Sequence, residues 1–225
     1  FIPTGSIISY YKFENNVLDS IGTNNGTATA ITYAAGKVGN AAVFNGSTSN
    51  VEIADSNSLS FTNGVNDLPF SISYIIKFDI LIATSRYWVI SKRTSSTIIE
   101  YQFTIYDGTC YFSLYDSVNN AYIQNNFSYT NFNSIDTFIV THTYNGSGIT
   151  GMKTYINGVL IVGTQAAIGA YSIMRNTASN LKLGKGDTSF YLDGLMDDTV
   201  IWNKELSQTE VTNIYNQQNA GLELI

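Results

Sequence analysis

Two adjacent carboxylates, Asp197 and Asp198, lie inside YLDGLMDDTVIWNKELSQTE (residues 191–210), which reads as a strand, an aromatic-ended run and a short capped helix. Neighbouring side chains on a strand point to opposite faces, so one of these acids must turn inward or sit at an edge. An isolated buried carboxylate is too costly to leave uncompensated. A cation, a Lys or Arg, or a cluster of backbone donors would compensate it. With Lys and Arg totalling 11 in 225 residues, a hard metal ion is the leading candidate. The alternative is a carboxylate that accepts backbone N–H bonds at a sheet edge, with no metal.

A second constellation comes from residues 101–115, where Asp107-Gly108 is a favoured two-residue type I′ turn. That turn pairs Tyr106 with Thr109, Ile105 with Cys110, Thr104 with Tyr111, Phe103 with Phe112 and Gln102 with Ser113. One face is then Phe103, Ile105, Cys110, Phe112 and Leu114, with Cys110 an inert buried thiol. The opposite face is polar and aromatic at once. Carbohydrate recognition sets flat aromatic rings against sugar C–H faces and hydrogen-bonding groups against hydroxyls. Tyr106, Tyr111, Tyr115, Gln102 and Thr104 have that make-up, with Asp116, Asn119, Asn120 and Tyr122 as a rim in the loop just beyond. Against this, tyrosine is simply a good strand residue that tolerates half exposure.

The elements that must position these groups are strands. Residues 70–80 alternate strictly, with Phe70, Ile72, Tyr74, Ile76, Phe78 and Ile80 on one face, which predicts a strand half buried against a core. Residues 7–13, 41–44, 51–53, Phe138–Tyr144 and Leu181–Leu183 read as further strands, and residues 153–162 as a hairpin around Asn157-Gly158. Residues 15–30 read as a long ligand-holding loop. Ser207 and Glu210 form a capping box that starts the one expected helix, running to about residue 215. Of Tyr87 and Trp88, one must point outward. The single histidine, His142, shares a face with Phe138, Val140 and Tyr144 and reads as a satisfied structural residue.

The same segments carry a resemblance. G-x-x-D-D-x-x-x-W-N-x-x-L-S-x-x-E, from Gly194 to Glu210, is similar to the closing signature of the laminin-G-like (concanavalin A-like) jelly-roll domains. Tyr11-Lys-Phe13-Glu14 with Asp19-Ser-Ile-Gly22, and Gly36-Lys37-Val38-Gly39-Asn40-Ala41 with Phe44-Asn45-Gly46, resemble its opening motifs. Phe70-Ser-Ile72, Ile90-Ser-Lys92, Tyr155-Ile-Asn157-Gly158 and Leu183-Gly184 follow in order. The resemblance spans about residues 8–215 and implies an all-β, two-sheet antiparallel sandwich over residues 1–225, with its core at about 7–216. It also implies a structural Ca2+ tying the N-terminal region to the last strand. Asp197 would be the side-chain ligand, with the Gly46 carbonyl and Glu14 nearby, and Asp198 exchanging roles with Asp197. Asp19 and Asn24 lie in the other loop that would supply oxygens.

Catalysis is tested by what is missing. Glycosidases of this superfamily resemble one another in E-x-D-x-E or E-x-D-x-x-E on one strand, and none of the six glutamates has that spacing. Thr141-His142-Thr143 is not a lyase Q-x-H. Arg86, Arg93 and Arg175 lie in separate segments, unlike the grouped arginines of sialidases. No P-loop, zinc motif or nucleophile elbow occurs. The expectation is a protein that is not an enzyme.

Composition narrows the setting. Charged residues are 12%, about half the usual share, and Asn, Ser and Thr supply the polarity instead. That balance is common in secreted and virion-surface β-proteins. A net charge of −6 offers no basic stripe for nucleic acid, and no apolar run is long enough to insert in a membrane. One cysteine excludes an internal disulfide. The opening FIPTGSIISYY, without a charged leader or Met, suggests a segment of a longer protein through which oligomers would form. The reading is a non-catalytic recognition or adhesion module of an extracellular, cell-surface or virion protein. Its partner is a glycan or, if it is an assembly module, a neighbouring protein subunit.

Overall fold

In the computed structural model, which describes residues 1–82, 84–186 and 190–225, strands succeed one another along almost the whole chain. They are β1 (Ile7–Tyr11), β2 (Gly26–Thr29), β3 (Thr32–Ala35), β4 (Asn40–Asn45), β5 (Asn50–Ile53), β6 (Phe70–Phe78), β7 (Arg86–Arg93) and β8 (Ile99–Tyr106). Then follow β9 (Thr109–Asp116), β10 (Ala121–Ser128), β11 (Phe138–Tyr144), β12 (Met152–Ile156), β13 (Val159–Ile161), β14 (Thr164–Ile168), β15 (Leu181–Leu183) and β16 (Asp193–Trp202). Helix α1 (Gln208–Asn219) comes last.

The strands form two antiparallel sheets. One runs β13-β12-β11-β6-β16-β4-β3, with β1 joining β16. The other runs β14-β10-β9-β8-β7-β15-β5-β2. Between them lies a core to which β6 gives Phe70, Ile72, Tyr74, Ile76 and Phe78, and β8 and β9 give Phe103, Ile105, Cys110, Phe112 and Leu114. These are the apolar faces that period two predicts. The β8–β9 register is the expected one from Tyr106↔Thr109 to Gln102↔Ser113. Asp107 and Gly108 both have positive φ, 48° and 72°, as a type I′ turn requires.

Several expectations need correction. Strand β6 is buried on both faces, not one, because the first sheet carries a second apolar layer outside. There Tyr10, Val200, Trp202 and Leu206 pack with Val211 and Ile214 of α1. The capping box at Ser207 and Glu210 is present, but α1 continues to Asn219, past the expected end. The presumed long loop over residues 15–30 ends in β2, which pairs with β5. Strand β7 was not named as a strand, and strands β3, β10 and β14 were not foreseen. Their exposed or polar residues, such as AYIQNNFS in β10, hide the alternation that marks a half-buried strand.

His142 sits in the core with its ring nitrogens 2.9 Å from the Tyr74 hydroxyl and 2.9 Å from Thr154 Oγ1. Burial lowers its pKa to about 3, so it is neutral and structural. A second buried polar cluster joins β7 to β8. Lys92 Nζ, fully buried, donates to Glu100 Oε1 at 2.8 Å, Asp55 Oδ1 at 2.6 Å and the Ser179 carbonyl at 2.9 Å.

Candidate functional site

The acid pair shows what a bulge does to side-chain direction. Along one edge of β16, Asp193–Met196 pair with β4, whereas Thr199–Trp202 pair with β1. Between these partners the register against β6 shifts, and Asp198 takes φ 43°. The extra residue defeats the alternation. Asp197 Oδ2 accepts the Lys37 and Val38 N–H groups, each at 3.0 Å. Asp198 Oδ1 accepts the Tyr10 hydroxyl at 2.6 Å, and its Oδ2 faces the Gln218 amide of α1. Both acids are buried, where one was expected to be outward. Burial raises Asp197 to about 7, against the two backbone donors, and raises Asp198 to about 6, against Tyr10 and Gln218.

The residues named for calcium are not gathered. Glu14 accepts both the backbone and side-chain N–H of Asn40, so Glu14 and Asp197 grip adjoining parts of one turn. Gly46 instead lies against Asp193, whose side chain a Cβ there would meet at 3.0 Å. Asp19 accepts backbone N–H groups from Tyr10, Ile21, Gly22 and Asn24, and Asn24 itself donates to Ser9. Among the described residues no group of three or more His, Cys, Asp or Glu is placed to hold a metal. Calcium needs about six to eight oxygens free of facing donors. Asp197 Oδ1 is buried without a hydrogen-bond partner among the described residues, but one free oxygen is far short of that number, so the residues present do not make a calcium shell.

The polar-aromatic constellation does assemble. On the face of the second sheet turned away from the core, β7 to β10 line a groove of about 330 Å³. Strand pairing sets its side chains in rows: Arg86 beside Tyr106, Trp88 beside Thr104 and Tyr111, and Gln102 beside Ser113 and Gln124. Tyr115 and Tyr122 form the last row, their ring centroids 5.1 Å apart. Gln102 donates to the Tyr115 hydroxyl at 2.9 Å and accepts from Arg93 Nη1 at 3.0 Å. Burial pushes the Tyr115 phenol up to about 12.

Of the expected rim, Asp116 lines the groove and Asn119 does not. Asp116 is buried, and its carboxylate is committed to Arg175 Nε at 2.9 Å and the Asn119 side chain at 2.7 Å. Desolvation would raise its pKa, but the Arg175 and Asn119 bonds outweigh it and hold the group at about 2. Asn119 braces Asp116 and does not line the groove; Asn120 does.

Sequence reasoning missed the contribution of β7. Arg86 and Arg93 are seven apart, which on a regular strand puts them on opposite faces. The register against β8 shifts between Trp88 and Ile90, so that Val89 and Ile90 both enter the core. That single added residue returns Arg93 to the face of Arg86 and Trp88. The Arg93 guanidinium lies 4.4 Å from the Trp88 ring centre, and that of Arg86 lies 4.2 Å from the Tyr106 ring centre. The outward residue of the Tyr87–Trp88 pair is therefore Trp88, yet it is covered, with only 2% exposed. Among the described residues its Nε1 donor has no hydrogen-bond partner.

The architecture recurs in known proteins. Domain 4 of AbnA, an extracellular arabinanase from Geobacillus stearothermophilus solved with arabinotriose, matches 93% of this chain and 98% of its own, with TM-score 0.70 and 20% identity. The binding domain of Paraclostridial Mosquitocidal Protein 1 matches 94% of this chain with TM-score 0.73 and 17% identity. The ligand binding domain of botulinum neurotoxin serotype D, solved with N-acetylneuraminic acid, matches 94% with TM-score 0.67 and 22% identity. This chain spans about half the length of these two binding domains, 52% and 50%. At such identities the likeness concerns the fold. No curated protein matches the chain. The family model for the concanavalin A-like lectin/glucanases superfamily matches residues 45–212, so the chain belongs to that superfamily as a laminin-G-type domain.

Proposed function

We propose that this protein is a non-catalytic recognition module that binds carbohydrate in the groove of the second sheet. The observation that carries the reading is the groove's lining. Tyr106, Tyr111 and Tyr122 offer ring faces, while Gln102, Thr104 and Gln124 offer neutral hydrogen-bonding groups. The fold relatives support it, one having been solved with arabinotriose and another with N-acetylneuraminic acid. Glycoside hydrolysis takes two carboxyl groups, one of them able to deliver a proton. Among the described residues this groove is lined by one carboxylate, Asp116, and its arginine partner holds it ionised. The charge-poor, Asn/Ser/Thr-rich composition favours an extracellular, cell-surface or virion setting.

A glycan array with purified protein tests the reading. Reproducible binding that is lost in Tyr111→Ala and Tyr115→Ala is expected. The second reading, a structural assembly module, draws on the uncovered β13–β14 corner, where Val159, Leu160, Val162 and Ile168 are exposed. No glycan signal, together with a defined oligomer in light scattering, would favour assembly instead.

A further inference from the structure

The chain has three arginines, and all three converge on one groove. Arg86 and Arg93 line it, and Arg175 holds Asp116, which also lines it. Their roles differ. Arg175 neutralises Asp116 from behind, and Arg93 is engaged with Gln102 and Trp88. Arg86 is half-buried, and among the described residues its guanidinium has no hydrogen bond or ion pair. Three aromatic rings surround it instead: Tyr106 at 4.2 Å, Trp88 at 5.6 Å and Phe190 at 5.9 Å from ring centre to guanidinium carbon.

That environment has a chemical meaning. Aromatic rings steady a guanidinium through its faces and leave the N–H edges unspent. Those edges form a rigid fork that fits a carboxylate with two parallel hydrogen bonds.

We propose that the groove is selective for carboxylate-bearing sugars, with the Arg86 guanidinium receiving the carboxylate and the tyrosine rows receiving the sugar rings. This rests on the groove being a glycan site. The net charge of −6 opposes an anionic ligand at long range, but at physiological salt that field decays over about 8 Å. Contact with Arg86 therefore decides. Asp116, the one acid lining the groove among the described residues, does not cancel this attraction, since Arg175 already pairs it. Neutral sugars would use the tyrosines and amides alone and lose the charge-assisted pair.

Calorimetric titration with matched probes tests the idea: sialyllactose against lactose, and a galacturonic acid trimer against its carboxyl-reduced form. Each acidic probe should bind at least about tenfold tighter than its neutral counterpart, with the advantage shrinking as salt rises. Arg86→Gln should abolish that advantage, and Arg86→Lys should restore only part of it, because a point charge lacks the fork. Melting midpoints of both variants close to wild type would show that the fold is intact; should Arg86→Gln fail to fold, Arg86→Lys gives the same comparison. Equal binding of acidic and neutral probes, unaffected at Arg86 but lost in Tyr111→Ala, would overturn the acid selectivity and keep the glycan site. Sulfated lactose binding as tightly as sialyllactose would overturn selectivity for the carboxylate. Absence of binding by every probe, or binding indifferent to both Arg86 and Tyr111, would overturn the groove as the site altogether.

Discussion

Asp198 is a carboxyl group whose ionisation works against folding. Burial raises it to about 6 and its neighbour Asp197 to about 7, above their values in an unfolded chain. A raised folded-state pKa contributes stability that is full below the unfolded value and is lost as pH rises through the folded one. The two acids therefore stabilise on acidification from about pH 7 towards 4. His142, lowered to about 3, has the opposite sign, and its contribution is lost as pH falls from about 6.5. A difference between variant and parent cancels every shared contribution. Asp198→Asn keeps an acceptor for Tyr10, and swapping the Gln218 amide would let its oxygen accept from the new NH2. The variant is expected to melt higher than wild type at pH 8 and to lose that advantage near pH 4. A lower midpoint at pH 8 would show that the ionised form is favoured in the fold. At Lys92 the expectation runs the other way. Lys92→Met leaves Glu100 buried without its cation, a loss of roughly 3–5 kcal/mol in urea unfolding. Burial already raises the Glu100 pKa despite the lysine beside it.

At the scale of elements, the β8–β9 hairpin depends on a turn that only certain residues can make. Gly108 has φ 72°, and a Cβ added there would meet only the Tyr129 ring at 3.7 Å, an ordinary contact. The cost of Gly108→Ala is thus conformational, about 1 kcal/mol, and equilibrium unfolding should show it without a change in the groove's ligands. This hairpin was legible in the sequence because Asp107-Gly108 and period two together fix the pairing. Bulges were not legible. The one at Asp198 and the one at Val89–Ile90 each arise from how neighbouring strands share an edge or a core, not from residue type. They buried both acids of the pair and brought Arg86 and Arg93 to one face. Strand β10 was hidden because Asn125 takes an inward place between Ile123 and Phe127 and interrupts the apolar alternation. Tyr106, Tyr111 and Tyr115 followed from the hairpin alone, whereas Tyr122, expected in a loop, stands opposite Tyr115 on β10.

The whole molecule is a layered stack, with α1 outside one sheet and the groove outside the other. Among the contacts that tie its beginning to its end are the Lys12–Glu223 ion pair and the hydrogen bonds of Asp197 to the Lys37–Val38 turn, Asp198 to Tyr10, and the Leu224 N–H to the Tyr10 hydroxyl. The family resemblance assigned this work to calcium, whereas donors already face the oxygens of those carboxylates other than Asp197 Oδ1. A bound metal would stabilise the native state by mass action. Melting in millimolar Ca2+ and in EDTA is expected to give one midpoint, and a rise with calcium would show a shell that these donors do not reveal. Cys110 offers a last consequence. The sole thiol of the chain is sealed at the centre of this stack, with no exposed surface, and burial pushes its pKa up. A thiol-reactive dye can label it only when the two sheets part, so the native sequence carries its own clock for how often the sandwich opens.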